Sequence, residues 1–451
     1  MTVPAPQTGS KRSRMRVIAF CCMTLPAFGQ SSAPLPLTLR QAVDLALSPS
    51  GDARLRLAEE ILAQSEARVR QARAALLPNV DATVTGQNFT RNLRAFGVRS
   101  PLPSVPFPEV VGPITFVDGR ATLTQSVFDF ASIRRLQAAR AGTDLAQAEQ
   151  EAARNQVTSQ VARVYAAAQR AAAQVEVAEA NTALAEALAS LARNQKIAGT
   201  GTGIEVTRAE VQLANERQRL LVARNGLERA LLQLRRAVGL DLATPIRLAD
   251  PLAPAPAHAV DVEEAIRTAH ARRADWKAQQ SRETAARAAL AATRAERLPS
   301  IGAFADAGQI GLELGDTRFT RVLGAQLRVP LWDGGRRDAR RAESAIELRR
   351  EEIRSRDFSR QVELEVRLAL EDVRSADSQV LVAAEGLALA EAELAAARRR
   401  YEAGVTTSVE VTEAQARLTR ARDNRTAAIY LQRLAQIELA SAMGVINQVI
   451  Q

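Results

Sequence analysis

Ile204-Glu205-Val206-Thr207-Arg208-Ala209-Glu210-Val211-Gln212-Leu213 aligns with Val409-Glu410-Val411-Thr412-Glu413-Ala414-Gln415-Ala416-Arg417-Leu418. At the same spacing Gly199 meets Gly404 and Gly239 meets Gly444, so the chain is a tandem duplication. The match extends upstream. Arg73-Ala74-Ala75-Leu76-Leu77-Pro78 returns as Arg294-Ala295-Glu296-Arg297-Leu298-Pro299, and Val127-Phe128-Asp129 returns as Leu331-Trp332-Asp333. The opening from Leu37 to Leu47 matches Val260 to His270. Residues 30–240 form the first repeat and 261–451 the second. The stretch 241–260, with Pro245, Pro251, Pro254 and Pro256, reads as the linker between them.

Each copy reads as short helix, long helix, two strands and a very long helical hairpin. From Ala131 to Ala198 there is no proline and one glycine, Gly142, so a continuous helix would run ~100 Å at 1.5 Å per residue. Arg336 to Ala403 repeats the feature. On the return helix Val206, Leu213, Leu220, Leu227 and Leu234 keep a seven-residue spacing, a coiled-coil seam. In the second copy the analogous line breaks at Arg425 and Gln432, while Ala414, Ala421, Ala428, Ala435 and Ala442 hold the period with small residues. A solvent-exposed coiled-coil rod would show the same helices.

Period two marks the strands, near 80–128 and 301–331. Val80, Ala82 and Val84 alternate with Asp81, Thr83 and Thr85, and Ala121, Leu123 and Val127 alternate with Thr122, Thr124 and Ser126. Ile301, Ala303, Ala305 and Ala307 stand opposite Gly302, Phe304, Asp306 and Gly308; Leu323, Ala325, Leu327, Val329 and Leu331 alternate with Gly324, Gln326 and Arg328. Strands of about 9 to 11 residues with one apolar face match a membrane crossing. Phe89, Phe96, Phe107, Phe116, Phe128, Phe130, Phe304 and Phe319 flank or lie in them. Interfacial aromatic girdles produce that distribution, and so does a buried sheet core. Strands facing lipid leave no unpaired edge, and the smallest bacterial barrels have about eight strands. Four strands per chain therefore close only in an oligomer, which also gathers the long helices into a cylinder.

Composition narrows the function. Hydrophobic residues make up 47% of the chain but aromatics only 4%, the vocabulary of packed Ala- and Leu-rich helices. Cys21 and Cys22 are adjacent and His258 and His270 lie apart, so no metal site, no cofactor and no histidine-based catalysis is expected. Adjacent acids such as Glu59-Glu60, Glu263-Glu264 and Glu351-Glu352 do not face one another, and enzyme activity finds no support. Lys11, Arg12, Arg14 and Arg16 precede an apolar run from Val17 to Leu25 and then Ala27-Phe28-Gly29, so residues 1–29 read as a cleaved signal peptide. Its removal takes four of the ten net positive charges. A lipid anchor at Cys21 or Cys22 is the competing reading, although Phe20 and Cys21 stand where a small residue is wanted. The remaining arginines, as in Arg272-Arg273, Arg336-Arg337 and Arg398-Arg399-Arg400, are dispersed over helices without aromatic partners, which argues against nucleic acid. No later run reaches the ~20 apolar residues of a membrane helix.

The duplicated exported chain, the Leu-Pro ends before each strand pair, Pro330-Leu331-Trp332-Asp333-Gly334-Gly335 entering a long helix, and Tyr401-Glu402-Ala403-Gly404 followed by Val409-Glu410-Val411-Thr412-Glu413-Ala414 together resemble the TolC-type outer-membrane efflux proteins. The resemblance covers nearly the whole chain after the signal. It implies a mainly α fold with a small transmembrane β part: duplicated long-helix hairpins forming an α-helical tunnel, and four strands per chain in a homotrimeric twelve-stranded barrel set in outer-membrane lipid. It further implies a passive conduit that extends into the periplasm and meets a periplasmic adaptor protein and an inner-membrane pump or ABC transporter. The leading alternative is a periplasmic coiled-coil adaptor or scaffold, which should carry one hairpin and lipoyl-like domains instead of two hairpins and two strand pairs.

Gly199-Thr200-Gly201-Thr202-Gly203 follows no strand and lacks the phosphate-loop lysine, so it reads as a hairpin tip. By resemblance the tips at 199–205 and 404–410 form the periplasmic entrance, with Gly199, Thr200, Gly203, Gly404, Val405 and Ser408 meeting the adaptor. Tyr401 matches the family's gating tyrosine, Glu205 its acidic partner, and Glu410 and Glu413 the acidic rings that constrict the pore. Thr406 stands where the family's best-studied gate has an arginine, so part of the closing network is missing or rewired. Glu410 and Glu413 also fit ordinary solvated acids favoured by a helix start.

Overall fold

The computed structural model describes residues 34–97, 108–256, 260–313 and 315–449. The expected signal with Cys21 and Cys22, together with Phe107 and His258, lies outside the described residues. In chain order the elements are β1 (Leu35–Leu37), α1 (Leu39–Ala46), α2 (Ala53–Ala74), β2 (Asn79–Asn92), β3 (Val110–Asp129), α3 (Phe130–Ile197), α4 (Gly203–Val238), β4 (Ile246–Leu248), α5 (Val262–Arg272), α6 (Ala274–Ala295), β5 (Ser300–Gly311), β6 (Thr317–Arg328), α7 (Arg336–Glu402), α8 (Ser408–Ala442) and a short α9 (Ile446–Val449).

Helices α3 and α7 are 68 and 67 residues long, as the lack of proline requires. Asp129 caps α3 by accepting from the Ala131 N–H at 3.0 Å, so β3 passes into α3 with no loop. The return helices α4 and α8 pack along them, and the heptad line of α4 faces inward with Leu213 and Leu234 buried. Because the helices are slender, no single core forms. Apolar clusters are strung along the bundle instead. One joins α1, α3 and α4 through Val43, Val161, Tyr165 and Leu234; its counterpart in the second copy joins α5, α7 and α8 through Ala269, Val362, Val366 and Leu439. Alanine fills much of both, which lets the backbones approach closely.

The stretch after α4 is tied down. β4 pairs in parallel with β1, and Asp250 accepts hydrogen bonds from the Leu39 N–H and the fully buried Tyr165 hydroxyl, both at 2.9 Å. Burial first, and then the hydrogen bond to the Asp250 carboxylate, push the Tyr165 phenol well up. Further along, the Gln432 amide donates to the Ala255 carbonyl at 3.0 Å and to Asp377 at 2.7 Å, so the polar break in the second heptad line anchors the inter-repeat segment.

Strands from both copies form one antiparallel sheet in the order β2-β3-β5-β6. Val80, Leu123, Ala305 and Leu323 make one row across it, and Thr83, Arg120, Gly308 and Thr320 make a row on the other face. The apolar face is the bare one: Val84 is 83% and Leu323 85% exposed. Among the described residues nothing covers the apolar side, which argues against the buried-sheet reading. On the polar face Arg120 bridges Asp118 at 2.6 Å and Asp306 at 3.1 Å. The aromatic girdle expectation needs correction here. Phe128 and Phe319 do lie on the apolar face, but Phe89, Phe116 and Phe304 share the Arg120 face. Phe89 and Phe116 meet edge-on at 5.9 Å, and the Phe304 ring lies over Gly324, where an added Cβ would stand 2.6 Å from it. Strand parity and a bulge between Ser126 and Phe128, rather than proximity in sequence, decide these faces.

Candidate functional site

The two hairpin tips lie at the end of the bundle away from the sheet. At the first, α3 ends at Ile197 and the chain reverses through Gly199, whose φ of +76° is left-handed. The N–H groups of Thr200 and Gly201 both donate to the Gln195 carbonyl at 3.0 Å. Glu205 then reaches back over the start of α4, where its Oε2 accepts from the Thr202 N–H at 2.8 Å and the Thr202 hydroxyl at 3.1 Å. At the second tip Gly404, with φ +72°, makes the same reversal, and the Val405 N–H donates to the Arg400 carbonyl at 2.9 Å. Glu410 does not reach back. It accepts from Arg400 Nη1 at 2.7 Å and from the Thr406 hydroxyl.

Tyr401 is buried in a cluster with Leu394, Ala397, Val411, Ala414 and Leu418. It lines a small cavity between the hairpins together with Glu205, Gln212, Ser408 and Gln415. Burial, and then the Glu205 charge, raise the phenol above its ordinary value. Glu205 and Tyr401 are thus brought together as neighbours without a direct hydrogen bond. Glu413 points elsewhere: it is 64% exposed on its side chain and pairs with Arg417 at 3.3 Å, while Arg417 also holds Glu393 at 3.1 Å.

Of the expected adaptor contacts, Gly199, Thr200, Gly203, Gly404 and Val405 are exposed. Ser408 differs from these: it is half-buried, its hydroxyl oxygen is buried, and the residue lines the inter-hairpin cavity. Its inward aim follows from helix phase, because α8 begins at this residue. Arg400, Gln415 and Gln212 are the site residues that sequence reasoning passed over. Arg400 was hidden in a run of arginines, and Gln415 is a polar residue beside the alanine line, the one signal that marked it.

Arg273, nearly buried, bonds Asp275 at 2.7 Å and Glu365 at 2.6 Å; burial opposes the Asp275 charge, yet Arg273 outweighs it and holds that carboxyl below its usual value. Among the described residues no group of His, Cys, Asp and Glu is arranged to hold a metal ion, and no helix is long and apolar enough to cross a membrane.

A family profile described as outer membrane efflux protein matches residues 50–240 and 265–445. Protein CyaE of Bordetella pertussis is 29% identical over 443 residues, covering 93% of this chain and 90% of that protein. The outer membrane protein VceC of Vibrio cholerae has the same fold, with a TM-score of 0.76 at 20% identity over 90% of this chain and 96% of that one. The open-state MtrE outer membrane channel of Neisseria gonorrhoeae gives 0.74 at 18% identity over 90% and 89%.

Proposed function

We propose, from the premise that this chain belongs to the outer membrane efflux protein family, a specific way in which it closes and docks. The protein is an outer-membrane channel subunit of a tripartite efflux system, with a helical tunnel reaching into the periplasm. The observation that carries the proposal is the pairing of two ends: a four-stranded sheet with a bare apolar face at one, and two glycine-turned tips presenting carboxylates at the other.

In our reading three copies pair β2 of one chain with β6 of the next, twelve strands closing around the Arg120 face with Phe128, Phe319 and Trp332 toward lipid and headgroups. At ~45° tilt a twelve-residue strand such as β5 or β6 rises ~29 Å, matching a hydrocarbon core of ~30 Å. The tips form the periplasmic gate. Tyr401 and Glu205 hold the two hairpins together, and Thr406 with Arg400 fixes Glu410 where the best-studied gate of the family has an arginine. Within the set Glu393, Glu413 and Arg417 one negative charge is uncompensated, so the trimer gathers carboxylates about one axis and attracts cations. Exposed Gly199, Thr200, Gly203, Gly404 and Val405 meet a periplasmic adaptor, which links the channel to an inner-membrane pump or ABC transporter.

Two measurements test this. The protein should be extracted from the outer-membrane fraction by detergent as a trimer; a soluble monomer would overturn the barrel. Replacing Glu410 and Glu413 together by alanine should weaken cation block of single-channel conductance, and unchanged block returns both to solvated helix-start acids.

A further inference from the structure

Buried polar atoms nearly always find a partner. Among the described residues six buried side-chain atoms have neither a hydrogen bond nor an ion pair within the protein, and five of them fall on the helices where the hairpins meet: Tyr401 Oη, Ser408 Oγ, Gln415 Nε2, Thr419 Oγ1 and Glu216 Oε2. Such clustering is not scatter. Ser408, Gln415 and Thr419 recur at helical spacing along one side of α8. Glu216 on α4 and Arg422 on α8 lie at one level, because neighbouring α3 residues serve both helices: Thr182 donates to the Glu216 carbonyl at 3.4 Å and Asn181 accepts from Arg422 at 2.7 Å, with Thr419 about one turn from Arg422. Tyr401 is 7%, Gln415 2% and Glu216 0% exposed.

Three of these residues, Tyr401, Ser408 and Gln415, line the cavity that Glu205 and Gln212 close from the other hairpin. About 20 Å³ of it is open to the centre of a water molecule, and one water needs ~10–15 Å³ on that measure. The chemistry is complementary. The second hairpin offers O–H and N–H donors; the first offers the Glu205 oxygen left over from its bonds to Thr202, and the Gln212 carbonyl, whose amide already donates to Glu216 at 2.8 Å.

We propose that this cavity is a site for one or two ordered water molecules, which bridge Tyr401, Ser408 and Gln415 to Glu205 and Gln212. The joint between the hairpins is therefore wet. Water re-forms its bonds in many geometries, so the hairpins can shift against each other without stranding a buried donor, which a direct side-chain pair would not allow. The consequence for channel opening rests on the gate reading above; the solvent site does not.

A structure of the detergent-extracted trimer that resolves ordered solvent tests the site. Solvent within ~3 Å of both Tyr401 Oη and Gln415 Nε2 is expected; a dry cavity, or direct bonding of these groups to Glu205 and Gln212, overturns the proposal. The bridging bonds also hold the closed joint together, so Gln415→Met, which fills the space with an apolar chain and displaces the solvent, should raise closed-channel current roughly fivefold, the size of one net hydrogen bond. Tyr401→Phe should act in the same direction. Solvent present in the native trimer, with current unchanged in both variants, would leave the water site standing and remove the gate reading.

Discussion

Glu205 and Glu410 occupy the same position of the repeat, in the first turn of helices that begin at Gly203 and Ser408, and they hold different things. Glu205 caps its own helix through Thr202, whereas Glu410 turns away to Arg400 and Thr406 and leaves Thr407 without that bond. Two exchanges between the copies account for it: Gln195 is replaced by Arg400, and Gly201 by Thr406. A helix cap is worth about 1 kcal/mol and an exposed ion pair no more, so neither wins alone. Arginine and hydroxyl acting on one carboxylate outbid the cap. A third exchange, exposed Lys196 for buried Tyr401, gives only the second tip an apolar anchor. The duplication has thus kept one tip as a self-contained turn and made the other a cross-linked one.

The contrast is broken most strongly at the anchor. Tyr401→Ala should cost about 3–5 kcal/mol of local stability, read as faster amide exchange through the ends of α7 and α8, since it empties a packed cluster. Lys196→Ala should stay within about 0.5 kcal/mol. Next in size, Glu205→Ala should release roughly 1 kcal/mol of cap and speed amide exchange in the first turn of α4 about fivefold. Glu410→Ala should leave the first turn of α8 unchanged, and equal effects at the two helix starts would erase the distinction drawn between them.

Arg400→Gln makes the second tip resemble the first. With side chains 56% and 35% exposed, the Arg400–Glu410 pair is screened, so the expected gain in open probability is at most about fivefold per chain, and added salt should reproduce much of it in the native protein. The smallest effect is alkaline. Because the Tyr401 phenol is raised above 10.0, its contribution is complete below that pH and is lost as pH climbs through the folded value. Single-channel recordings should show opening above about pH 10, and Tyr401→Phe should remove that dependence.

Helix lengths and the duplication were legible because proline, glycine and heptad spacing act locally. The sheet was legible as four alternating segments, but not which aromatic faces which way: parity across the Ser126–Phe128 bulge and the Phe304 ring over Gly324 depend on register. β1 and β4 escaped notice because three residues are too few for a period to show. At the tips Tyr401 and Glu205 could be matched to a family pattern. Arg400 could not, since its 2.7 Å contact with Glu410 joins residues ten apart across a reversal. The burial of the Ser408 hydroxyl was not legible, because closeness to a turn says nothing about which way the first helical turn faces.

The joints between sheet and bundle differ as the tips do. β3 ends at Asp129 and α3 begins at Phe130, so no residue stands between them to absorb a twist. Between β6 and α7 lie residues 329–335, with Gly334 and Gly335 both left-handed at φ 69° and 84°. Torque applied at the first tip therefore arrives at the sheet through an unbroken shaft, whereas torque at the second meets a swivel before it gets there. One half of the duplicated chain is a fixed axle and the other a jointed one.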